Sequence, residues 1–185
     1  FHLFCDVSDE WSVKRLVEDV HAEYETIDIL VNNAGVGIVG PVESYSLKNW
    51  RTTINTNLTG AFLMSRQVVR IMKTQGSGRI VNVSSGAGRN GIANYAAYCA
   101  SKFGLYGFAE ALGLEVRNDG ILVSTVFPGS TDTYFSGRTP EREQERESGQ
   151  GRLSAYEVAE AIVNLCETNA NAWTSALVIR PLRPK

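Results

Sequence analysis

The chain has 185 residues, 43% of them hydrophobic, with 20 acidic against 18 basic side chains and a net charge of −2, the composition of one folded domain. That balance leaves no basic surface for nucleic acid, and no apolar run reaches the roughly eighteen residues needed to span a bilayer. Residues 1–7 lack the charged start and long apolar stretch of a secretory leader, so a cytoplasmic location is the default expectation.

Short apolar runs alternate with helical patterns along the chain, which predicts an α/β fold with a parallel sheet flanked by helices. Phe1–Val7 reads as a strand, Asp9–Tyr24 as a helix and Ile27–Asn33 as the next strand. A helix around Leu47–Leu58 runs almost directly into another that ends near Lys73. The strand Gly78–Ser84, the helix Ala93–Val116 and the strand Ile121–Phe127 follow. Ser154 and Glu157 form a capping box for a helix over Ala155–Glu167, and Ala176–Ile179 is the last strand. Neither repeats nor a linker interrupt this pattern, so residues 1–185 are read as a single domain.

Cys5, Cys99 and Cys166 are odd in number and scattered, which argues against a disulfide framework; all three are read as reduced and mostly buried. His2 and His21 are the only histidines, so no metal site is expected.

The chemistry is concentrated in Tyr98-Cys99-Ala100-Ser101-Lys102. Residues at i and i+4 share a helix face, and helical side chains lean toward the N-terminus, so Lys102 reaches back over Tyr98 rather than forward to Tyr106. A charge about 4 Å away at an effective dielectric of about 20 is worth up to roughly 4 kcal/mol, or about three pKa units. That predicts a phenol brought toward neutrality, where general acid/base catalysis works best. Tyr95 has Cys99 rather than a cation as its i+4 neighbour and is read as a packing or substrate-contact residue.

Three further motifs fall at carboxyl ends of strands, where doubly wound sheets bind ligands: Asn32-Asn33-Ala34-Gly35, Ser84-Ser85 and Pro128-Gly129. Gly35 is read as admitting backbone close to a flat or bulky ligand, and Asn33 as tying neighbouring strands together.

Ser85 lies thirteen residues before Tyr98, and Asn57 sits in Asn55-Thr56-Asn57-Leu58-Thr59-Gly60. With these motifs in this order and near this spacing, the chain resembles the short-chain dehydrogenase/reductase family, in particular its compact 3-oxoacyl-[acyl-carrier-protein] reductases, over nearly its whole length. The resemblance implies a Rossmann-like doubly wound sheet and hydride transfer between NADP or NAD and a ketone or secondary alcohol, with 3-oxoacyl thioesters the commonest substrates. It also implies a homodimer or homotetramer, for which the apolar residues Phe62, Leu63, Val69, Met72, Phe103, Leu105, Phe108 and Leu112 offer a helical face. Tyr98 would be the proton donor and acceptor, and Ser85 would hold the same oxygen. Lys102 would lower the Tyr98 pKa and grip the nicotinamide ribose, and Asn57 would kink its helix and anchor a water in a proton path. Asp6 and Val7 resemble the adenine-contacting pair, Asn33, Ala34 and Gly35 the adenosine side, and Pro128, Gly129, Thr131 and Thr133 the strand end that fixes the carboxamide.

Tyr134–Arg152 occupies the place of the family's variable substrate lid. Its charges from Arg142 to Glu147 are read as a solvated face; contact with substrate would make Arg138, Arg142 and Arg146 select an anionic group such as an acyl-carrier arm.

One departure stands out. The family opens with a strand, a Gly-rich turn and a helix that hold the pyrophosphate, then a second strand that selects NAD or NADP, and no such turn is found here. The chain therefore reads as N-terminally truncated, and the alternative to an enzyme is a non-catalytic remnant acting as a binding or assembly partner. In the family's strand order the two absent strands lie between Phe1–Val7 and Ile27–Asn33, where at about 4.8 Å per strand their loss opens a gap of roughly 10 Å and leaves an exposed edge. Expressed alone, the 185-residue chain is expected to be poorly soluble or molten and to bind neither NAD nor NADP tightly. Micromolar dinucleotide affinity for this polypeptide in a calorimetric titration would contradict that.

Overall fold

The computed structural model describes residues 2–133, 135, 151–168 and 172–182. A four-stranded sheet, all parallel, organises them: β1 (Ile29–Asn32), β2 (Gly78–Val83), β3 (Ile121–Pro128) and β6 (Ala176–Ile179), side by side in that order. Among the described residues, five helices connect or flank these strands: α1 (Glu10–Tyr24), α2 (Leu47–Ile54), α3 (Gly60–Gln75), α4 (Ala96–Val116) and α5 (Ala155–Glu167). A short parallel pair, β4 (Thr131–Asp132) with β5 (Leu153–Ser154), leads into α5.

The helices begin where side chains satisfy their open N–H groups. Asp9 accepts from Ser12 N at 2.7 Å ahead of α1, and Ser46 accepts from Asn49 N at 3.1 Å ahead of α2. The capping box of α5 is complete: Glu157 N donates to Ser154 Oγ at 3.1 Å and Ser154 N to Glu157 Oε2 at 2.6 Å. The helix foreseen over Leu47–Leu58 stops at Ile54, and a π turn over Asn55–Thr59 joins it to α3.

Alternation along the strands sorts their side chains onto two faces. Leu30, Ile80, Ile121 and Val123 join Val17 of α1, Val68 and Met72 of α3, and Ala109, Leu112 and Val116 of α4 in the main core. On the opposite face Val81 and Val126 pack with Leu165 of α5. Helices therefore cover both faces, as expected of a doubly wound sheet. Among the described residues no helix is long and apolar enough to cross a membrane.

One step beyond the apolar row Leu30, Ile80, Val123, the main-core face carries a polar row, Asn32, Asn82, Thr125, in direct register. Asn32 Nδ2 donates to Asn82 Oδ1 at 2.9 Å and to Ser65 Oγ of α3 at 3.1 Å. The strand tie expected of Asn33 is thus made by its neighbour. Asn33 follows the end of β1, its side chain is exposed, and only its backbone N–H bonds, to Val31 O at 3.1 Å.

The strand expected over Phe1–Val7 is a second correction, because His2–Asp6 form no strand. A strand exists only through a ladder with a neighbour, and no described segment pairs with these residues. Phe4 is 91% exposed, while the segment's end is fixed locally, with Asp6 N donating to Ser12 Oγ at 2.9 Å and Asp9 N to Asp6 O at 3.1 Å. Val7 is set on the start of α3, where a Cβ on Gly60 would stand 2.9 Å from Val7 Cγ2. The cysteines are free; Cys99 is buried, but Cys5 and Cys166 are only half-buried.

Candidate active site

The three strand-end motifs converge with α4. Lys102, two turns into the helix, turns its side chain back toward the sheet, and Nζ donates to Val83 O, the last residue of β2, at 2.7 Å. Ser84 Oγ donates in return to Lys102 O at 3.1 Å. These two bonds dock the helix on the strand end and bring Tyr98 beside Ser85. Ser85 starts the short 3-10 turn Gly86–Gly88, its hydroxyl accepting from Ala87 N at 3.2 Å, and its side chain lies near enough to the Tyr98 phenol to oppose a rise in its pKa.

The electrostatics differ from the expected lowering of the Tyr98 pKa. Burial pushes the phenol up, Ser85 opposes the rise, and Cys99 and Tyr95 add to it. Lys102 does not reverse this, because Nζ lies 5.8 Å from the Tyr98 ring centroid and is engaged by the Val83 carbonyl. Lys102 itself is 4% exposed, and burial lowers its pKa to about 8, so the ammonium form still predominates at neutral pH.

Asn57 is locked. Oδ1 accepts from Val36 N at 2.7 Å, while Nδ2 donates to Val36 O at 2.9 Å and to Ser101 Oγ at 3.0 Å. The side chain imitates a backbone partner for Val36 and joins the loop after β1 to α4. Both of its N–H groups are thereby used on protein. The kink foreseen at Asn57 is present as the π turn. Gly35 borders the same cluster: a Cβ there would stand 3.3 Å from Asn57 Oδ1 and 3.6 Å from Lys102 Nζ.

The remaining candidates make local contacts of their own. Gly129 N donates to Ile179 O at 2.8 Å, and Thr131 Oγ1 donates to Gly129 O at 3.0 Å. Thr133 Oγ1 accepts from Phe135 N at 3.4 Å. Asp6 Oδ1 accepts from both Oγ and N of Ser8, at 2.7 and 2.9 Å, which lowers the carboxyl pKa. Ala34 is exposed and Pro128 half-buried. Arg138, Arg142 and Arg146 lie outside the described residues. Among the described residues no group of His, Cys, Asp or Glu is arranged to hold a metal ion.

The donor set fits the nicotinamide half of a dinucleotide. The absent side chain of Gly35 brings its backbone close to Asn57 and Lys102, and among the described residues the buried Lys102 ammonium has one protein acceptor, Val83 O, for its three N–H groups. Residues that the motif reading missed are Ser101 and Val36, the partners of Asn57, and Phe135, whose ring lies 5.5 Å from that of Tyr98. Ser101 sits inside the Tyr-Lys motif, so its place on the helix was visible; Phe135 lies in a stretch with no periodic signal.

The family model for short chain dehydrogenase matches residues 1–144. The chain belongs to this family. Among curated relatives, a D-threitol dehydrogenase of Mycolicibacterium smegmatis is 44% identical over 124 residues, covering 67% of this chain and 48% of that protein. The 3-oxoacyl-[acyl-carrier-protein] reductase FabG of Salmonella typhimurium is 35% identical over 176 residues, covering 93% of this chain and 72% of the relative. The chain thus spans about half the length of the first of these. A solved serine dehydrogenase, in its closed form complexed with NADP+, superposes with a TM-score of 0.90 at 28% identity, covering 96% of this chain and 74% of that one.

The lowered pKa of Lys102 in this short-chain dehydrogenase has a measurable consequence. Below about 8 the ammonium is charged in both folded and unfolded states and its burial cost is present in full. Between about 8 and the ordinary 10.5 the folded state has released the proton while the unfolded state holds it, so stability rises with pH across that window. Relative to a Lys102→Met variant, the wild type should gain on the order of 3 kcal/mol from pH 7 to 10.5, read from urea midpoints at matched m-values. A constant difference would show that Lys102 keeps its ordinary pKa.

Proposed function

We propose that this short-chain dehydrogenase is an oxidoreductase that interconverts a ketone and a secondary alcohol with NADP or NAD, through Ser85, Tyr98 and Lys102. The observation that carries the reading is the placement of Tyr98 beside Ser85 at the end of β2, with a buried ammonium fixed beside the same ring. The names of the relatives, a polyol dehydrogenase and a 3-oxoacyl reductase, and a structural neighbour complexed with NADP+, support the reaction class.

A nicotinamide, when bound, supplies or accepts the hydride. Lys102, Gly35 and the Pro128–Gly129 strand end would hold its nicotinamide half, with Asp6, Val7, Asn33 and Ala34 on the adenosine side and Thr131 and Thr133 near the carboxamide. The protein's own contribution is at the substrate oxygen. Burial keeps the Tyr98 phenol protonated at neutral pH, which suits a donor to a carbonyl oxygen as negative charge grows there. Ser85 holds that oxygen by a second hydrogen bond. The phenolate left behind is favoured by the neighbouring Ser85 and by the Lys102 charge, which is stronger in a site shielded from water. Asn57 acts through position, holding the Val36 loop against α4.

Tyr98→Phe removes the titratable hydroxyl and little else. In the full-length protein it should lower kcat by about 10²-fold or more, with dinucleotide affinity kept. Retention of more than about a tenth of the rate would remove Tyr98 from the acid/base role.

The same reading includes a homodimer, extended to a tetramer. Of the apolar residues that suggested it, Leu63, Met72, Leu105 and Leu112 are buried in the protein's own core. Phe62 and Phe103 remain 41% and 45% exposed, joined by Leu114 at 58%, and Phe62 meets Phe108 edge-on across α3 and α4 at 6.2 Å. Sedimentation of the full-length protein at micromolar concentration should show a dimer or larger, and Phe103→Glu should shift it toward monomer. A wild type that sediments strictly as monomer would refute the assembly.

A further inference from the structure

We infer that Phe135, with Tyr95, selects the substrate of this site, favouring a carbonyl with a flat apolar arm over a polyhydroxylated one; the inference rests on the oxidoreductase reading above. Tyr98 stands between two rings. Phe135 lies 5.5 Å away at an interplanar angle of 52°, and Tyr95 lies 6.2 Å away at 67°. Phe135 is 43% exposed.

The Phe135 ring is also seated on Gly37. A Cβ at that position would stand 2.6 Å from Phe135 Cε1 and 3.1 Å from Cζ. Gly37 does not have a positive φ, so its backbone makes no demand for glycine; the ring does.

The loop beneath the ring is held at three points. Asn57 bonds both polar groups of Val36, the Tyr45 hydroxyl donates to Ile38 O at 2.9 Å, and Gly40 N donates to Asn94 O at 2.9 Å. The last bond ties the loop that carries Gly37 to the turn that delivers Tyr95. Val39 and Ile92, exposed by 46% and 48%, extend the apolar character on either side of that tie. A wall fixed in this way discriminates by shape and by the hydrogen bonds it withholds.

Among the described residues, polar capacity at the centre is small. The hydroxyls of Ser85 and Tyr98 belong to the reacting oxygen, which leaves Tyr95 as the polar tip of the aromatic wall. A polyhydroxy ketone placed here would set further hydroxyls against carbon, where they lose water without gaining partners. An aryl-alkyl ketone would meet ring edges and faces.

The test is steady-state reduction of 4-phenyl-2-butanone and of erythrulose by the full-length protein, with NADPH and with NADH. The wild type should show a kcat/KM about tenfold or more higher for the phenyl ketone. Phe135→Ala should lower that ratio by about tenfold or more, chiefly through the KM of the phenyl ketone, and Phe135→Leu should recover part of it. Gly37→Ala should move the ratio the same way, because its Cβ displaces the ring while leaving Phe135 in the chain. A wild-type preference for erythrulose, or parallel losses on both ketones in the Phe135 and Gly37 variants, would overturn the selection while leaving the oxidoreductase reading intact. Turnover of neither ketone with either nicotinamide would overturn both.

Discussion

A lysine ammonium with almost no exposure to water, held by one carbonyl oxygen at the end of a central strand, is the constraint around which this site is built. Burying a charge is costly unless the geometry returns something, and here the return is placement. The Val83 carbonyl fixes Lys102, the Ser84 hydroxyl fixes the backbone of the same residue, and α4 is thereby set in both height and rotation over β2. Tyr98, one turn earlier on the helix, inherits that position and meets Ser85 without adjustments of its own.

A second clamp completes the arrangement from the other side. The π turn at Asn55–Thr59 is a local departure of the kind often found at functional sites, and it presents Asn57 to Val36 as a surrogate strand. Because the same amide reaches Ser101 in the turn between Tyr98 and Lys102, the loop after β1 and α4 are held by one side chain. Ordinary helical continuity through Asn57 would have aimed that amide elsewhere.

Much of this was legible in the sequence, for identifiable reasons. The Ser154/Glu157 pair fixed the start of α5, and the Tyr98 to Lys102 spacing fixed which tyrosine neighbours the lysine, because both depend on contacts within a helix turn. What failed depends on distant partners. Phe1–Val7 has the residues of a strand but no described ladder partner, and composition cannot report a missing neighbour. Asn32 and Asn33 are chemically identical, and only the strand's two-residue alternation, which puts Asn32 on the face of Ser65 and Asn82, decides which of them ties the sheet. The Tyr98 pKa was misjudged for a similar reason: the pattern places a cation nearby but does not show that a backbone carbonyl engages it or that burial outweighs it.

The polar row across the sheet carries a consequence for how the strands find one another. Asn82 Nδ2 and Thr125 Oγ1 are buried with no hydrogen-bond partner among the described residues, yet they face each other in register. Sliding β3 by two residues would keep every side chain on its own face and leave the hydrophobic pattern nearly unchanged. It would, however, set the Asn82 side chain against Val123 or Phe127, both almost wholly buried, in place of the hydroxyl-bearing Thr125. The row thus works as an alignment key for strands whose apolar residues are otherwise interchangeable, deciding which of several equally greasy pairings becomes the native one.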